Sequence, residues 1–146
     1  MSVREEIVGV ARWGIRNAAR IHYAEARPMP LRRTLPLTTD CSGFATLCYY
    51  LAGAPDPNGL GYIGQGYTGS LLRHLPHVPQ GRARLGDIVV WGRYPGHHCA
   101  VVLETGDDPL LASHGGESGP VELRLSEEQQ WQDGRPATWL DGLPLK

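Results

Sequence analysis

Cysteine and histidine are the residues of this 146-residue chain best suited to covalent and acid–base chemistry, and Cys41 stands out among them. It lies in Thr38-Thr39-Asp40-Cys41-Ser42-Gly43-Phe44. Ala45, Leu47, Cys48 and Leu51 follow at near-helical spacing, and Gly53 and Pro55 close the run. This pattern predicts a helix with Cys41 in its first turn. There the unpaired backbone N–H groups and the positive end of the helix dipole favour thiolate over thiol, lowering a reference pKa of about 8.5. The competing reading, a small buried hydrophobe, suits Cys48, two helical turns further on, and Cys99, inside a strand pattern. For Cys41 the deciding question is whether a base is at hand.

Candidate bases come from the second half of the chain. Leu85-Gly86-Asp87 leads into a β-branched run at 88–91, residues 93–96 predict a hairpin turn, and 97–104 and 110–114 predict two further strands. Short turns between consecutive strands predict an antiparallel meander. Side chains alternate across a strand, so only one of His97 and His98 faces the Cys41 helix. If the face of His98, Ala100 and Val102 is inward, His98 is the base and His97 is exposed. His114, on the neighbouring strand, then comes near enough to hydrogen-bond His98. Glu104 shares the parity of His98 but lies about 20 Å along the strand, too far to orient it. The other readings of these histidines are a polar sheet rim or a metal site. Zinc held by His97, His98, Cys99 and His114 fits poorly, because adjacent strand residues diverge and no pair has the usual ligand spacing.

Other segments must position these groups. Residues 3–22 repeat apolar side chains every three or four positions, an amphipathic helix that packs on the core. Residues 27–36, with three prolines, predict a surface loop. Tyr23, just before it, is either a core aromatic or a hydroxyl aimed at the site. Residues 54–69 predict a long ordered loop of the kind that often carries function. Thr68 or Ser70 then caps a short helix through Leu71, Leu72 and Leu75, ended by Pro76. His74 and His77 read as surface residues. Residues 121–125 and 137–140 are further strand candidates, with a helical turn at 126–131 between them. Helices first and sheet second predict an α+β fold.

Composition narrows the function by exclusion. With 41% hydrophobic residues, 20% charged and a formal net charge of −1, the chain has neither the profile of a disordered segment nor that of a general nucleic-acid binder. Its length fits one domain, 1–146. Charges scattered through residues 1–20 interrupt any signal-peptide core, and the longest apolar runs are too short to span a bilayer. Three cysteines with apolar or helical neighbours predict free thiols and synthesis in a reducing compartment.

In order and spacing, Asp40-Cys41-Ser42-Gly43-Phe44, Gly86-Asp87-Ile88-Val89-Val90 leading to His98-Cys99-Ala100-Val101-Val102, and Ser113-His114-Gly115 resemble the NlpC-type cell-wall cysteine peptidases, papain-like in their catalytic core. More narrowly, Tyr23, Thr39 to Gly43, Ala54-Pro55-Asp56-Pro57-Asn58-Gly59, Gly66-Tyr67-Thr68-Gly69 and Ser113-His114-Gly115 look like the peptidase domain of lysins from phages of actinobacteria. The resemblance spans roughly residues 5–125. It implies N-terminal helices packed on an antiparallel meander, and hydrolysis of an amide in peptidoglycan stem peptides, next to γ-D-glutamate, through an acyl-enzyme. Cys41 is then the nucleophile, His98 the general base and acid, and His114 the residue that orients it. Tyr23 matches a tyrosine beside the nucleophile, and the Cys41 N–H is placed to meet the oxyanion. Asp40 and Ser42 belong to the same substrate or oxyanion side, Asp40 alternatively capping the helix. The expected enzyme needs no cofactor or metal, acts as a monomer on the stem peptide, and binds neither nucleic acid nor membrane. It is made in a host cytoplasm without a signal peptide and meets the wall after release or as a virion or tail component. Two alternatives remain: an N-acetylmuramoyl amidase or other thiol acyl-transfer enzyme on the same fold, or a non-catalytic wall-binding module.

Overall fold

Ser2 starts the first helix. Its hydroxyl accepts from the Glu5 N–H while the Glu5 carboxylate accepts from the Ser2 N–H, and α1 runs Val3–Arg16 from this reciprocal cap. The sequence period predicts helix to residue 22, but Asn17 ends it: its side-chain amide donates to the Trp13 carbonyl. A 3-10 turn at Ala18–Arg20 then leads into β1, Ile21–Tyr23. β2, Leu37–Thr39, runs parallel to β1 with Tyr23 opposite Thr39. Sequence patterning draws Ile21 and His22 into the helix and passes over β2, because three-residue strands carry too little alternation to register. Their pairing matters, since it sets Tyr23 beside Asp40 and Cys41.

In the computed structural model, which describes residues 1–116 and 118–145, the remaining elements are α2 (Cys41–Leu51), α3 (Thr68–His74), β3 (His77–Val78), β4 (Ile88–Trp91), β5 (His98–Glu104), β6 (Leu110–Ser113), β7 (Val121–Arg124), α4 (Leu125–Trp131) and β8 (Ala137–Leu140). The fold is α+β. β4 to β7 form the expected antiparallel meander, while β8 returns to pair with the free edge of β4 and β3 adds beyond it, giving the order β3-β8-β4-β5-β6-β7. That return joins residues about 50 apart in sequence, Ile88 with Leu140, and local patterning does not encode it.

The central strands β4, β5 and β6 are buried on both faces. Ile88, Val90, Cys99, Val101, Leu103 and Ala112 pack against α1 and α2 in one cluster. Val89, Trp91, Ala100, Val102 and Leu111 face the other way with Trp139 of β8, and Leu125 of α4 packs in the same cluster. A buried polar clamp ties the chain ends to the sheet: the Arg4 guanidinium meets Asp87 at 2.6 Å and Asp141 at 2.9 Å. The 52–67 connection is ordered from within. Asp56 accepts from the N–H groups of Asn58, Leu60 and Tyr62, and the Asn58 side chain reaches Thr46 and Ser70. Among the described residues no helix is long and apolar enough to cross a membrane.

Candidate active site

α2 begins at Cys41 itself. Asp40 is its N-cap, extended in backbone, with a carboxylate oxygen accepting from the Gly43 N–H at 2.8 Å. The Asp40 carbonyl takes the Phe44 N–H. The N–H groups of Cys41 and Ser42 are left without an intrahelical acceptor, as at any helix start. Gly43 is required by space: a Cβ there would fall 2.0 Å from Thr39 Oγ1 and 2.9 Å from Asp40 Oδ1. The Asp-Cys-Ser-Gly run is thus a capping device that presents one sulfur and two free backbone donors.

The Cys99 thiol and the His98 imidazole lie near the Cys41 sulfur, and their influence outweighs burial, holding its pKa well below the ordinary thiol value. Burial works against charge on His98, yet Cys41 and the Glu128 carboxylate push its pKa up to about 9. The geometry favours a thiolate beside an imidazolium. His98 Nε2 meets Ser113 Oγ at 2.7 Å and Glu128 Oε1 at 3.2 Å, which leaves Nδ1 for the sulfur. Ser113 Oγ donates to Glu128 Oε1 at 2.7 Å, and Gln132 Nε2 donates to Glu128 Oε2 at 2.9 Å. Trp91, across the strand pair, stacks on the imidazole at 5.7 Å.

Two expectations need correction. The face shared by His98, Ala100 and Val102 is buried, but against α4 rather than α2. His98 still reaches Cys41 because it is the first residue of β5, at the rim of the sheet. His114 does not orient His98. Ser113 pairs with Ala100 and so shares the face of His98; His114, one residue on, turns the other way. Its Nε2 donates to the His22 carbonyl at 3.1 Å, and its ring lies edge-on to Tyr23 and Phe44. Burial lowers its pKa, favouring the neutral ring. Its place is behind Tyr23, as a brace.

The orienting position belongs to Ser113 and Glu128. Glu128 was not singled out from sequence, although Leu125 and Glu128 of α4 and Gln132 at its C-cap follow at helical spacing. A carboxylate on the face that a leucine buries was the available signal. Replacing Glu128 by glutamine is expected to lower kcat by about 10²-fold, the low end of what acid–base groups contribute, and to move the alkaline limb of the pH profile below 9, because His98⁺ loses its anion. A pH–rate series on the variant checks this; an unmoved alkaline limb would contradict the assignment.

Cys41 opens into a cleft of about 470 Å³ lined by Tyr23, Glu25, Arg27, Asp40, Tyr67 and His97 among others. A second hollow of about 880 Å³ continues past His98, Ser113 and Glu128 to Trp131, sharing Tyr23, Glu25, Gly96 and His97 with the first. Tyr23 lies at their junction, its hydroxyl pKa pushed up to about 12 by burial and by the nearby Cys41 and Asp40. His97 is exposed and precedes β5. Arg27 holds Asp40 at 3.1 Å and Ser42 Oγ at 3.2 Å. Asp40 therefore both caps α2 and is neutralised, and a cationic substrate group would have to displace Arg27 to use it. Cys48 is fully buried, its thiol pKa pushed up by that burial. Among the described residues no three histidine, cysteine or acidic side chains converge as a metal site.

A thiol at the capped start of a helix and a carboxylate-backed imidazole thus meet at the rim of an α+β fold. The chain has the NlpC/p60 fold. It superposes on the NlpC/p60 domain of the peptidoglycan hydrolase SagA with a TM-score of 0.62 and 20% identity, covering 94% of this chain and 97% of that one. The peptidoglycan hydrolase RipB of Mycobacterium tuberculosis gives a TM-score of 0.65 at 14% identity, covering 98% of this chain but only 66% of RipB. RipD of the same organism, described as a non-catalytic NlpC/p60 protein adapted to peptidoglycan binding, gives 0.63 at 14%, covering 97% and 98%. No family model matches the sequence, and no curated protein matches it.

Proposed function

We propose that this protein is a peptidoglycan hydrolase, a cysteine endopeptidase that cleaves an amide of the stem peptide, next to γ-D-glutamate, through a Cys41 acyl-enzyme. The observation that carries the reading is the Cys41–His98–Glu128 array: a thiol at a helix start, an imidazole near it, and a buried carboxylate behind the imidazole. The Cys41 thiolate attacks the scissile carbonyl carbon, and the carbonyl electron pair moves to oxygen, facing the free N–H groups at the start of α2. His98⁺ gives its proton to the departing amine as the C–N bond breaks. Water then attacks the thioester, returns a proton to His98, and releases the carboxylate product and the Cys41 thiolate. Glu128 and Ser113 hold the ring through both steps. Like RipD, a fold of this kind can serve binding alone; the complete thiol–imidazole–carboxylate array favours turnover here. The narrower likeness to lysins of actinobacteriophages rests on the sequence segments, and an amidase or acyltransferase on the same site would differ only in the bond broken.

The active protonation state is Cys41 thiolate with His98⁺, which sets the pH dependence. Falling pH protonates the thiolate; rising pH removes the His98 proton near 9. Hydrolysis of a synthetic stem peptide, followed by release of free amine, is expected to show a kcat/KM plateau through neutral pH with an alkaline midpoint near 9. A rate still rising through that point would contradict the ion pair, and no amine release at any pH would contradict the hydrolase.

A further inference from the structure

Of the four tryptophans only Trp131 is exposed, at 78%; Trp91 and Trp139 are buried and Trp13 is half-buried. Water is a poor neighbour for so large an apolar ring, and tryptophan beside a concave surface is a strong contact point for a ligand. Its place is fixed. Trp131 is the last residue of α4, three after Glu128, and residues at that interval are neighbours on a helix surface. The start of α4 is tied to the β5–β6 turn, where Asp108 accepts from the Ser126 N–H at 2.9 Å and from its hydroxyl at 2.7 Å. The helix that holds the carboxylate behind His98 therefore also holds the ring.

Trp131 lines the same hollow of about 880 Å³ as His98. β7 adds Val121 and Leu123 to that lining. Val121 pairs with Ser113 and Leu123 with Leu111, so both lie on the face that Ser113 shares with His98, and Val121 is left 43% exposed. Among the described residues that line the hollow there is no arginine or lysine, and its acidic members are Glu25 and Glu128, the second paired with His98. The hollow thus offers a free carboxylate neither guanidinium nor ammonium.

The side of the substrate that occupies it follows from the chemistry. An imidazole that protonates the departing nitrogen stands between that nitrogen and the sulfur. The half that leaves as an amine lies on the His98 side, in this hollow, and the acyl half lies toward Asp40, Ser42 and Tyr67 in the smaller cleft.

We propose that Trp131, with Val121, forms a subsite for the leaving half of the substrate, the ring packing on uncharged peptide that continues from the carboxyl of the diamino acid. This rests on the hydrolase reading of the site. A stem that ends at the diamino acid puts a free carboxylate into a hollow with no cation to meet it and leaves the tryptophan bare. A stem extended through that carboxyl removes the charge and covers the ring, so the site selects extended stems.

The test compares synthetic L-Ala-γ-D-Glu-diaminopimelate with the same peptide extended as its D-Ala-D-Ala amide. Wild type is expected to show a kcat/KM about tenfold higher for the extended peptide, and Trp131→Ala to abolish that preference through KM, with kcat held. Trp131→Phe keeps a ring and is expected to retain most of the preference. A tryptophan that only props Glu128 would instead lower kcat for both peptides and move the alkaline limb, which overturns the proposal. Equal use of the two peptides by wild type overturns it as well. So does a KM rise confined to a peptide that carries N-acetylmuramic acid on its acyl half, which would assign the ring to glycan. Calorimetric binding of both peptides to Cys41→Ala, with and without Trp131→Ala, separates the subsite from the hydrolase reading. Tighter binding of the extended peptide that depends on Trp131, with no amine released by wild type, keeps the subsite and removes the hydrolase; amine released from both peptides at equal kcat/KM does the reverse.

Discussion

Replacing Cys41 by alanine is expected to lower peptidoglycan hydrolysis by roughly 10⁴-fold or more. The expectation follows from geometry, since no other thiol can take over. Cys48 is fully enclosed, and Cys99 is buried beneath Cys41 in the helix-facing layer. The fold should persist, because Asp40 and Gly43, which start α2, are untouched. The variant has a second signature. His98 loses one of the two partners that push its pKa up to about 9 while keeping Glu128, so its pKa should fall, and NMR titration of the imidazole reads this without any substrate. Activity within tenfold of wild type would remove Cys41 from the chemistry.

His98→Ala is expected to cost roughly 10³-fold or more in kcat, and His97→Ala no more than a few-fold. His98 donates to the leaving amine, and its removal also leaves Ser113 and Glu128 buried with one partner fewer. An unmet buried polar group costs about 1–3 kcal/mol, so the melting temperature of His98→Ala should fall as well. His97 is exposed, and none of the hydrogen bonds that hold His98 runs through it. Its place in the lining of both hollows predicts an effect on KM rather than on kcat. Parallel kinetics of the two variants settle the order; a larger kcat loss in His97→Ala would mean that the exposed histidine is the acid–base group.

Local patterning carries much of this architecture and fails where pairing is distant. The Cys41 helix and the meander strands at 88–91, 98–104 and 110–113 were legible because apolar runs and glycine turns bound them. β8 was visible as a strand but not as the neighbour of β4, because Ile88 and Leu140 pair across about a third of the chain. The end of α1 was overrun because Ile21 kept the apolar period while belonging to β1. At the site, motif order brought Cys41, His98 and Tyr23 into view; Tyr23 lines both the cleft at Cys41 and the hollow at His98. His114 was misplaced by one step of strand alternation: Ser113, not His114, shares the face of His98. Glu128 lay hidden in a short helix after the meander, and its contact with His98 joins two segments that no local pattern links.

The most direct test is mass spectrometry of the soluble fragments released from purified diaminopimelate-type peptidoglycan by wild type beside Cys41→Ala. A cysteine endopeptidase acting next to γ-D-glutamate releases fragments with a new amine on the diamino acid and a matching carboxyl on the glutamate, and the alanine variant releases none. Intact wall in both samples, or the same fragments in both, would contradict a Cys41 peptidase.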